Sequence, residues 1–184
     1  MSLESAPLDK NLDDPLGAPL KSQRVLDEVK QRQRRRSIVD VEEERVKVVI
    51  VSCGTGRYAF GGADIREVLP PSPISWVPGL PAYLPGLINV RGDVESVVDL
   101  GHFVEERQGA PDDAMVLMAE RGDFRTGVLI DAIDDVVDVP VGTIGPPLGT
   151  LQGATRELVS GTLSYAGASI PVLDVGKLAA LIVV

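Results

Sequence analysis

The fold is decided by the stretch GLINVRGDVESVVDLG at residues 86–101, because the chain repeats its pattern in GTLSYAGASIPVLDVG at residues 161–176. Glycine, aliphatic and aspartate positions coincide at a constant spacing of 75 residues: Gly86 with Gly161, Ile88 with Leu163, Gly92 with Gly167, Val97 with Val172, Asp99 with Asp174, and Gly101 with Gly176. A weaker match at 68 residues relates Ile65, Glu67 and Val68 to Ile133, Asp135 and Val136. These spacings are too long for a solenoid and indicate two copies of a small β unit.

Each copy is interpreted as a strand, a glycine-containing turn, a second strand and a carboxylate that opens a helix. Gly92 and Gly167 can supply the positive φ that a tight hairpin needs. Asp99 and Asp174 are predicted to end the second strand and to cap the following helix by accepting from its free amides. Neither copy alone buries much apolar surface, so we expect the two copies to pack together.

From Val46 onward, short runs rich in Val, Ile and Leu alternate with Gly, Pro and Asp, which is typical of small barrels or sandwiches. The predicted strands lie near 46–53, 57–61, 73–78, 85–90, 93–99, 114–120, 124–130, 136–141, 160–165 and 169–174. Short helices are predicted near 62–68, 100–107 and 175–183. The spacing of Asp131, Asp134, Asp135 and Asp138 suits a helix, but the β-branched residues and Pro140 after them favour a strand in the later half.

The first 45 residues differ from the rest of the chain. They carry nine basic and ten acidic residues, and prolines interrupt their first twenty, which predicts a largely disordered extension. A helix is plausible over about 20–36. Its end carries Arg32, Arg34, Arg35 and Arg36, which are interpreted as a solvated helix end, with docking on the acidic body or on an anionic membrane as the alternative.

Charge and composition exclude several classes of function. The 184 residues have a net charge of −9, so a nucleic acid is not expected as the main partner. With one cysteine, Cys53, and one histidine, His102, neither a disulfide nor a Cys/His zinc site is expected. Cys53 ends an apolar strand and is interpreted as a buried apolar side chain. The longest apolar run, 178–184, is too short to span a membrane, so we expect a cytoplasmic protein without membrane insertion.

No pattern of catalytic or cofactor-binding residues stands out. The four aspartates of 131–138 lack the spacing of a calcium loop and are interpreted as a solvated acidic face. Asp99 and Asp174 could suggest the shared-proton pair of an aspartic protease, but neither is followed by the hydroxyl residue of that motif. The sequence therefore predicts a protein that is not an enzyme, with no catalytic residue, cofactor or metal.

Several motifs recur through the globular part of the chain. The main ones are Val77-Pro78 and Pro85 followed by Gly86-Leu87-Ile88-Asn89-Val90-Arg91-Gly92, and Val97-Val98-Asp99-Leu100. Further motifs are Tyr58-Ala59-Phe60, Ile65-Arg66-Glu67-Val68-Leu69, Gly127-Val128-Leu129-Ile130-Asp131 and Ile170-Pro171-Val172-Leu173-Asp174. By these motifs and their order, residues 46–184 resemble the family of CheW-like chemotaxis coupling domains.

The resemblance implies an all-β domain at 46–184, made of two packed SH3-like five-stranded barrels with short helices. The first unit would span about 46–112 and the second about 113–184, with an exchange of strands allowed. It also implies a non-catalytic adaptor that couples the cytoplasmic tip of a chemoreceptor to the regulatory domain of a CheA-type histidine kinase in a membrane-proximal array. The alternatives are a similar adaptor in another two-component pathway, for motility or gene control, and an aspartate-pair hydrolase.

The resemblance also implies a protein-binding site. Glu67 and Arg91 match family positions that lie close together and affect receptor coupling, and an ion pair that fixes the loops is an equally good interpretation. Ile65, Val68, Leu87 and Ile88 would line or adjoin an apolar groove between the barrels, or pack in the core. The chain departs from the family at Glu95-Ser96, where the second copy has the expected Ile170-Pro171. A carboxylate at this inward position needs solvent or a partner.

Overall fold

The computed structural model describes residues 43–105, 107 and 109–182. The predicted extension, with its helix at 20–36 and its four arginines, lies outside the described residues except for 43–45. The strands in the described part are β1 (Arg45–Cys53), β2 (Gly56–Gly61), β3 (Ile65–Leu69), β4 (Gly86–Val90), β5 (Asp93–Asp99), β6 (Met115–Arg121), β7 (Phe124–Ile130), β8 (Ala132–Pro140), β9 (Ile144–Gly145), β10 (Val159–Tyr165) and β11 (Ala168–Leu173). The helices are α1 (Leu100–Val104), α2 (Gly153–Leu158) and α3 (Val175–Ile182).

The strands form two sheets. Sheet one has the order β8-β1-β2-β11-β10-β9, and sheet two has the order β3-β6-β7-β5-β4. This architecture confirms the predicted all-β fold with short helices. Each sheet contains strands from both sides of residue 112, and the division of the sequence into units at 46–112 and 113–184 stays a prediction.

The two sheets repeat one strand arrangement. In sheet two, Ile88 of β4 pairs with Glu95 of β5, and in sheet one, Leu163 of β10 pairs with Ile170 of β11, at the same 75-residue spacing. Each hairpin then adds a parallel neighbour, β7 in sheet two and β2 in sheet one. The internal duplication predicted from the glycine and aspartate pattern is therefore present in the register of the strands.

Three apolar clusters hold the sheets together. One cluster lies between the sheets and includes Val49 and Phe60 from sheet one with Leu117 and Ile130 from sheet two. Each sheet also encloses a cluster of its own, the first with Val48, Ile50, Leu163 and Ile170 and the second with Ile88, Val97, Val116 and Met118. Because alternate residues of a strand face opposite sides, strands such as β1 are buried on both faces and are apolar almost throughout. Each sheet therefore behaves as a small barrel that packs one outer face on the other; we call sheet one the first barrel and sheet two, which holds the hairpin at 86–101, the second barrel.

Several predicted elements need correction. The predicted helix at 62–68 is a 3₁₀ turn at Gly62–Asp64 followed by β3, because Ile65 and Val68 pair with β6 and are better suited to a strand. The predicted strand at 73–78 forms only one bridge, between Ser75 and Leu87, in a proline-rich segment that lacks many amide donors. Strand β8 begins earlier than predicted, and β9 and α2 were not predicted.

Within the described part of the chain, no helix combines the length and the apolar character that crossing a bilayer requires.

Candidate functional site

Glu67 and Arg91 join the two edges of sheet two. Strands β3 and β4 are the outermost strands of this sheet, and no ladder pairs them in the described residues. The Oε2 atom of Glu67 on β3 lies 2.6 Å from Nη2 of Arg91, in the turn that follows β4. The Arg91 side chain is 80% exposed and the Glu67 side chain 25%. The predicted ion pair is present, and it closes the barrel with a contact that leaves most of the guanidinium in solvent.

The turn that carries Arg91 has a fixed backbone. Val90 pairs with Asp93, which leaves Arg91 and Gly92 as a two-residue connection with φ values of +56° and +103°. Two successive positive φ values match the twist of a tight hairpin and explain the glycine. The Gly92 amide also donates to Oδ1 of Asn89 at 2.9 Å. The hairpin therefore fixes the direction in which the Arg91 side chain leaves the barrel.

Further charged residues surround this pair. Arg66 lies 3.1 Å from Glu120, and Arg125 lies 3.2 Å from Glu95, measured from Nε to Oε in both pairs. Arg66 and Arg125 line a depression at the end of the second barrel together with Glu67, Val90, Arg91 and Asp93, and we call this depression the charged mouth. Sequence reasoning found Glu67 and Arg91 but missed Arg66 and Arg125, whose partners are distant in sequence.

The four apolar residues predicted at the site have different environments. Ile65 and Val68 are half-buried and pack against the cluster between the sheets. Leu87 is half-buried beside Ser75, where the two residues exchange backbone hydrogen bonds. Ile88 is only 2% exposed and belongs to the core of the second barrel. Contact with a partner stays a prediction for all four residues, and the burial of Ile88 is what the alternative of core packing predicts.

The departure at Glu95-Ser96 is compensated by partners on β7. Glu95, whose side chain is 13% exposed, pairs with Arg125. Ser96 Oγ lies 2.9 Å from Oγ1 of Thr126. The Thr126 hydroxyl also donates to the Ser96 carbonyl at 3.1 Å. Glu95 is therefore an inward carboxylate with a cationic partner, which satisfies the condition set by the sequence.

Asp99 and Asp174 have the predicted capping role. Asp99 Oδ1 accepts from the Gly101 amide at 2.9 Å at the start of α1, and Asp174 Oδ1 accepts from the Lys177 amide at 2.9 Å at the start of α3. Each also contacts a different arginine, Arg107 or Arg121. Burial opposes ionisation of Asp174, but the hydrogen bonds from Arg121 and from backbone amides outweigh it and lower its pKa. The two carboxylates lie in separate ion clusters, so they do not form a shared-proton pair.

The acidic residues around β8 each have their own partner. Asp131 accepts from Arg107 at 2.8 Å, Asp134 from Arg57 at 2.8 Å and Asp138 lies 3.2 Å from Lys47 Nζ, while Asp135 accepts from the Tyr165 hydroxyl. Among the described residues, no group of three or more His, Cys, Asp or Glu side chains has the arrangement of a metal site. Three of these carboxylates therefore form ion pairs, and Asp135 accepts a hydrogen bond from a neutral phenol.

Cys53 is fully buried at the end of β1. Burial is the main cause that raises the pKa of its thiol to about 12. The neutral thiol packs in the cluster between the sheets, as predicted for a small apolar side chain.

Comparison with known proteins identifies relatives of this chain and a solved structure with the same fold. A family model described as the CheW-like domain matches residues 47–182. The chain is 24% identical over 151 residues to a chemotaxis protein CheW of Treponema pallidum, which covers 78% of this chain and 88% of that protein. It is 28% identical over 129 residues to a chemotaxis protein CheW of Rhizobium meliloti, which covers 70% and 83% of the two chains. The crystal structure of the scaffolding protein TtCheW from Thermoanaerobacter tengcongensis has the same fold, with a TM-score of 0.65 and 24% identity over 71% of this chain and 90% of that one.

Proposed function

The chain belongs to the CheW-like domain family, and we propose that it is a non-catalytic adaptor that couples a chemoreceptor to a CheA-type histidine kinase. Two partners are proposed: the regulatory domain of the kinase and the cytoplasmic tip of the receptor. The proposed place of action is the cytoplasm, in an array close to the membrane. Relatives named as chemotaxis proteins and a solved relative named as a scaffolding protein support this proposal.

The observation that carries the proposal is the exposed Glu67–Arg91 pair at the charged mouth. An exposed ion pair contributes little to stability, generally less than about 1 kcal/mol, because water and salt screen it. Its placement on a fixed hairpin nevertheless presents a guanidinium that can bind a partner in one orientation. An exposed charge carried by a fixed hairpin at the end of a barrel fits a binding surface better than a contribution to the fold.

The carboxylates that could suggest hydrolysis support a structural role instead. Asp99 is 1% exposed, caps α1 and contacts Arg107, while Asp174 caps α3 and contacts Arg121. A shared-proton pair needs two carboxylates in direct contact and open to substrate. These contacts favour an adaptor over the aspartate-pair hydrolase.

The test is a binding titration of the full chain with the purified regulatory domain of a CheA-type kinase from the same organism. We expect the wild type to bind and Arg91→Asp to bind at least about tenfold more weakly, because the change reverses the charge of an exposed interface residue. Lys47→Asp is the matched control, since Lys47 forms an exposed ion pair with Asp138 on the other sheet. Its affinity should equal that of the wild type.

Two outcomes would contradict the proposal. If the wild type fails to bind the kinase domain, the adaptor function moves to another two-component pathway. If Arg91→Asp and Lys47→Asp lose the same affinity, the effect is one of net charge and the charged mouth is not the binding surface.

A further inference from the structure

The charged mouth is crossed by one row of alternating charges. Arg66 on β3 contacts Glu120 on β6, Glu120 pairs in register with Arg125 on β7, and Arg125 contacts Glu95 on β5. Residues in register on neighbouring strands face the same side of a sheet. Glu120 and Arg125 therefore face the same side, and the row runs across four strands of sheet two, with Arg66 and Arg125 in the same depression as the Glu67–Arg91 pair.

The barrel formed by sheet one has a different row at the equivalent place. At the 68-residue spacing, Arg57 matches Arg125 and Ser52 matches Glu120, and at the 75-residue spacing, Ile170 matches Glu95. Arg57 and Ser52 both donate to Asp134, at 2.8 and 2.7 Å, and Ile170 is buried against Leu163. The fold therefore accepts an apolar residue where the first copy has the Glu95 carboxylate.

Stability alone does not explain Glu95 and Arg125. Their side chains are 13% and 35% exposed, and the buried Nε of Arg125 makes no hydrogen bond in the described residues. A largely buried ion pair is often no more stabilising than apolar residues of similar volume, because both ions lose their hydration. Ile170, at the position that matches Glu95, shows that the fold accepts a buried apolar residue there.

We infer that Glu95 is a positioning residue that holds Arg125 at the floor of the charged mouth, where Arg125 and Arg91 bind a carboxylate of the partner protein. This inference rests on the proposed function, since it names the chemistry that the partner presents to that same surface. Arg91 donates from Nη2 to Glu67, and Arg125 lies with Nε 3.2 Å from Glu95 without a hydrogen bond between them. The remaining donors of the two guanidiniums match the two oxygens of a carboxylate.

Guanidinium N–H groups, and not net charge, favour an anionic group over a cationic one. Three arginines line the charged mouth with two carboxylates, Glu67 and Asp93, and the partners Glu95 and Glu120 bring the carboxylates of this region to four. Arg91 donates to Glu67 from Nη2, and its side chain is 80% exposed, so the rest of its planar donor group faces solvent. At the matching end of the other barrel, Ala166 replaces Arg91, and Arg57 is held by Asp134. An arginine with exposed donors on the hairpin turn is thus confined to the end where the Glu95–Arg125 pair lies.

The first experiment separates binding from folding. The double variant Glu95→Ile/Arg125→Leu replaces the ion pair by apolar residues, and Asp134→Leu/Arg57→Leu removes the ion pair that Arg57, the counterpart of Arg125, forms in the other barrel. We expect the first double variant to melt no lower than the wild type and to bind the kinase regulatory domain at least about tenfold more weakly. The control should keep wild-type affinity. Unchanged affinity of Glu95→Ile/Arg125→Leu, or an equal loss in the control, would overturn the inference.

The second experiment tests the chemistry without the kinase. Hexaglutamate and hexalysine are titrated into the full-length, ¹⁵N-labelled wild type, and the Nε–Hε resonances of Arg91, Arg125 and Arg57 are followed by NMR. We expect hexaglutamate to shift Arg91 and Arg125 and to leave Arg57 in place, with no shift from hexalysine. No shift at Arg91 and Arg125, or an equal shift at Arg57, would overturn the inference. If the wild type fails to bind the kinase domain, the proposed function fails, and this titration still decides whether the charged mouth binds carboxylates.

Discussion

Arg91 and Ala166 occupy the same position in the two copies of the fold. Each is the first residue of a two-residue hairpin turn, with φ values of +56° and +49°, and each precedes a glycine. They are the two non-glycine residues with positive φ in the described part of the chain. One copy thus presents a guanidinium from this turn and the other presents a methyl group. The turn at Ala166 adopts the same backbone without a charged side chain, so the guanidinium of Arg91 is not needed to form the turn.

Replacing Arg91 by glycine should therefore remove binding and keep the fold. Glycine adopts positive φ without the steric cost of a side chain, so we expect the free energy of unfolding of Arg91→Gly to be unchanged or raised by up to about 1 kcal/mol. Binding to the kinase domain should fall at least about tenfold, as for Arg91→Asp. Urea denaturation and a binding titration measure the two quantities. Ala166→Gly is the matched control, with a similar change in stability and wild-type binding. A marked destabilisation by Arg91→Gly would show that Glu67–Arg91 is chiefly structural.

Gly86 should be essential for seating the proline-rich segment on β4. A Cβ atom at this position would overlap the backbone oxygen of Ser75, a residue that exchanges two backbone hydrogen bonds with Leu87. Since backbone cannot move aside as a side chain can, we expect Gly86→Ala to lower the free energy of unfolding by about 1–3 kcal/mol. Gly142→Ala is the control, because a Cβ there meets no atom within 4 Å. Equal stability of the two variants in urea denaturation would contradict the close contact.

Asp174 should contribute to stability near neutral pH and not in acid. Its pKa in the folded state lies below the ordinary value of 3.8, so the ionised form stabilises the fold above about pH 4. This contribution is lost as the pH falls through the folded-state pKa. We expect Asp174→Asn to be less stable than the wild type by about 1 kcal/mol at pH 6, with a difference that shrinks toward pH 3. Urea denaturation at each pH measures it. A difference that stays constant would show that the ionised form of Asp174 is not responsible.

The sequence predicted the features that depend on local chemistry. The glycines of the hairpins and the capping aspartates, Asp99 and Asp174, have conformational roles that a short segment already determines. The duplication followed from the same positions, because both copies need the same turn and the same cap. For Glu67 and Arg91, the resemblance to known proteins supplied the pairing, which the residues alone left open.

The elements that the sequence failed to predict depend on contacts between distant segments. Residues 65–69 follow a turn and precede two prolines, and they form strand β3 because they pair with β6 at the edge of the sheet. Arg125 finds Glu95 only because β7 lies parallel to β5, at a separation of 30 residues along the chain. Such partners depend on the order of the strands in the sheet, and composition and periodicity do not predict that order. The 68-residue repeat, which relates Arg57 to Arg125, is the sequence feature that could have indicated Arg125 as a site residue.

Cys53 should report the opening of the core between the sheets. The thiol is fully buried, and burial raises its pKa to about 12, so at pH 8 it is almost entirely neutral and shielded from solvent. We expect a disulfide reagent such as DTNB to modify the native protein slowly at pH 8 and the urea-unfolded protein within the mixing time. Because the thiolate is the reactive form, modification in the native state requires an opening of the core. Gly86→Ala changes the second barrel. If the two barrels open separately, the rate of Cys53 modification in this variant should stay close to that of the native wild type. If they open together, the rate should rise. Rapid, complete modification of the native wild type would show that the core around Cys53 is not closed.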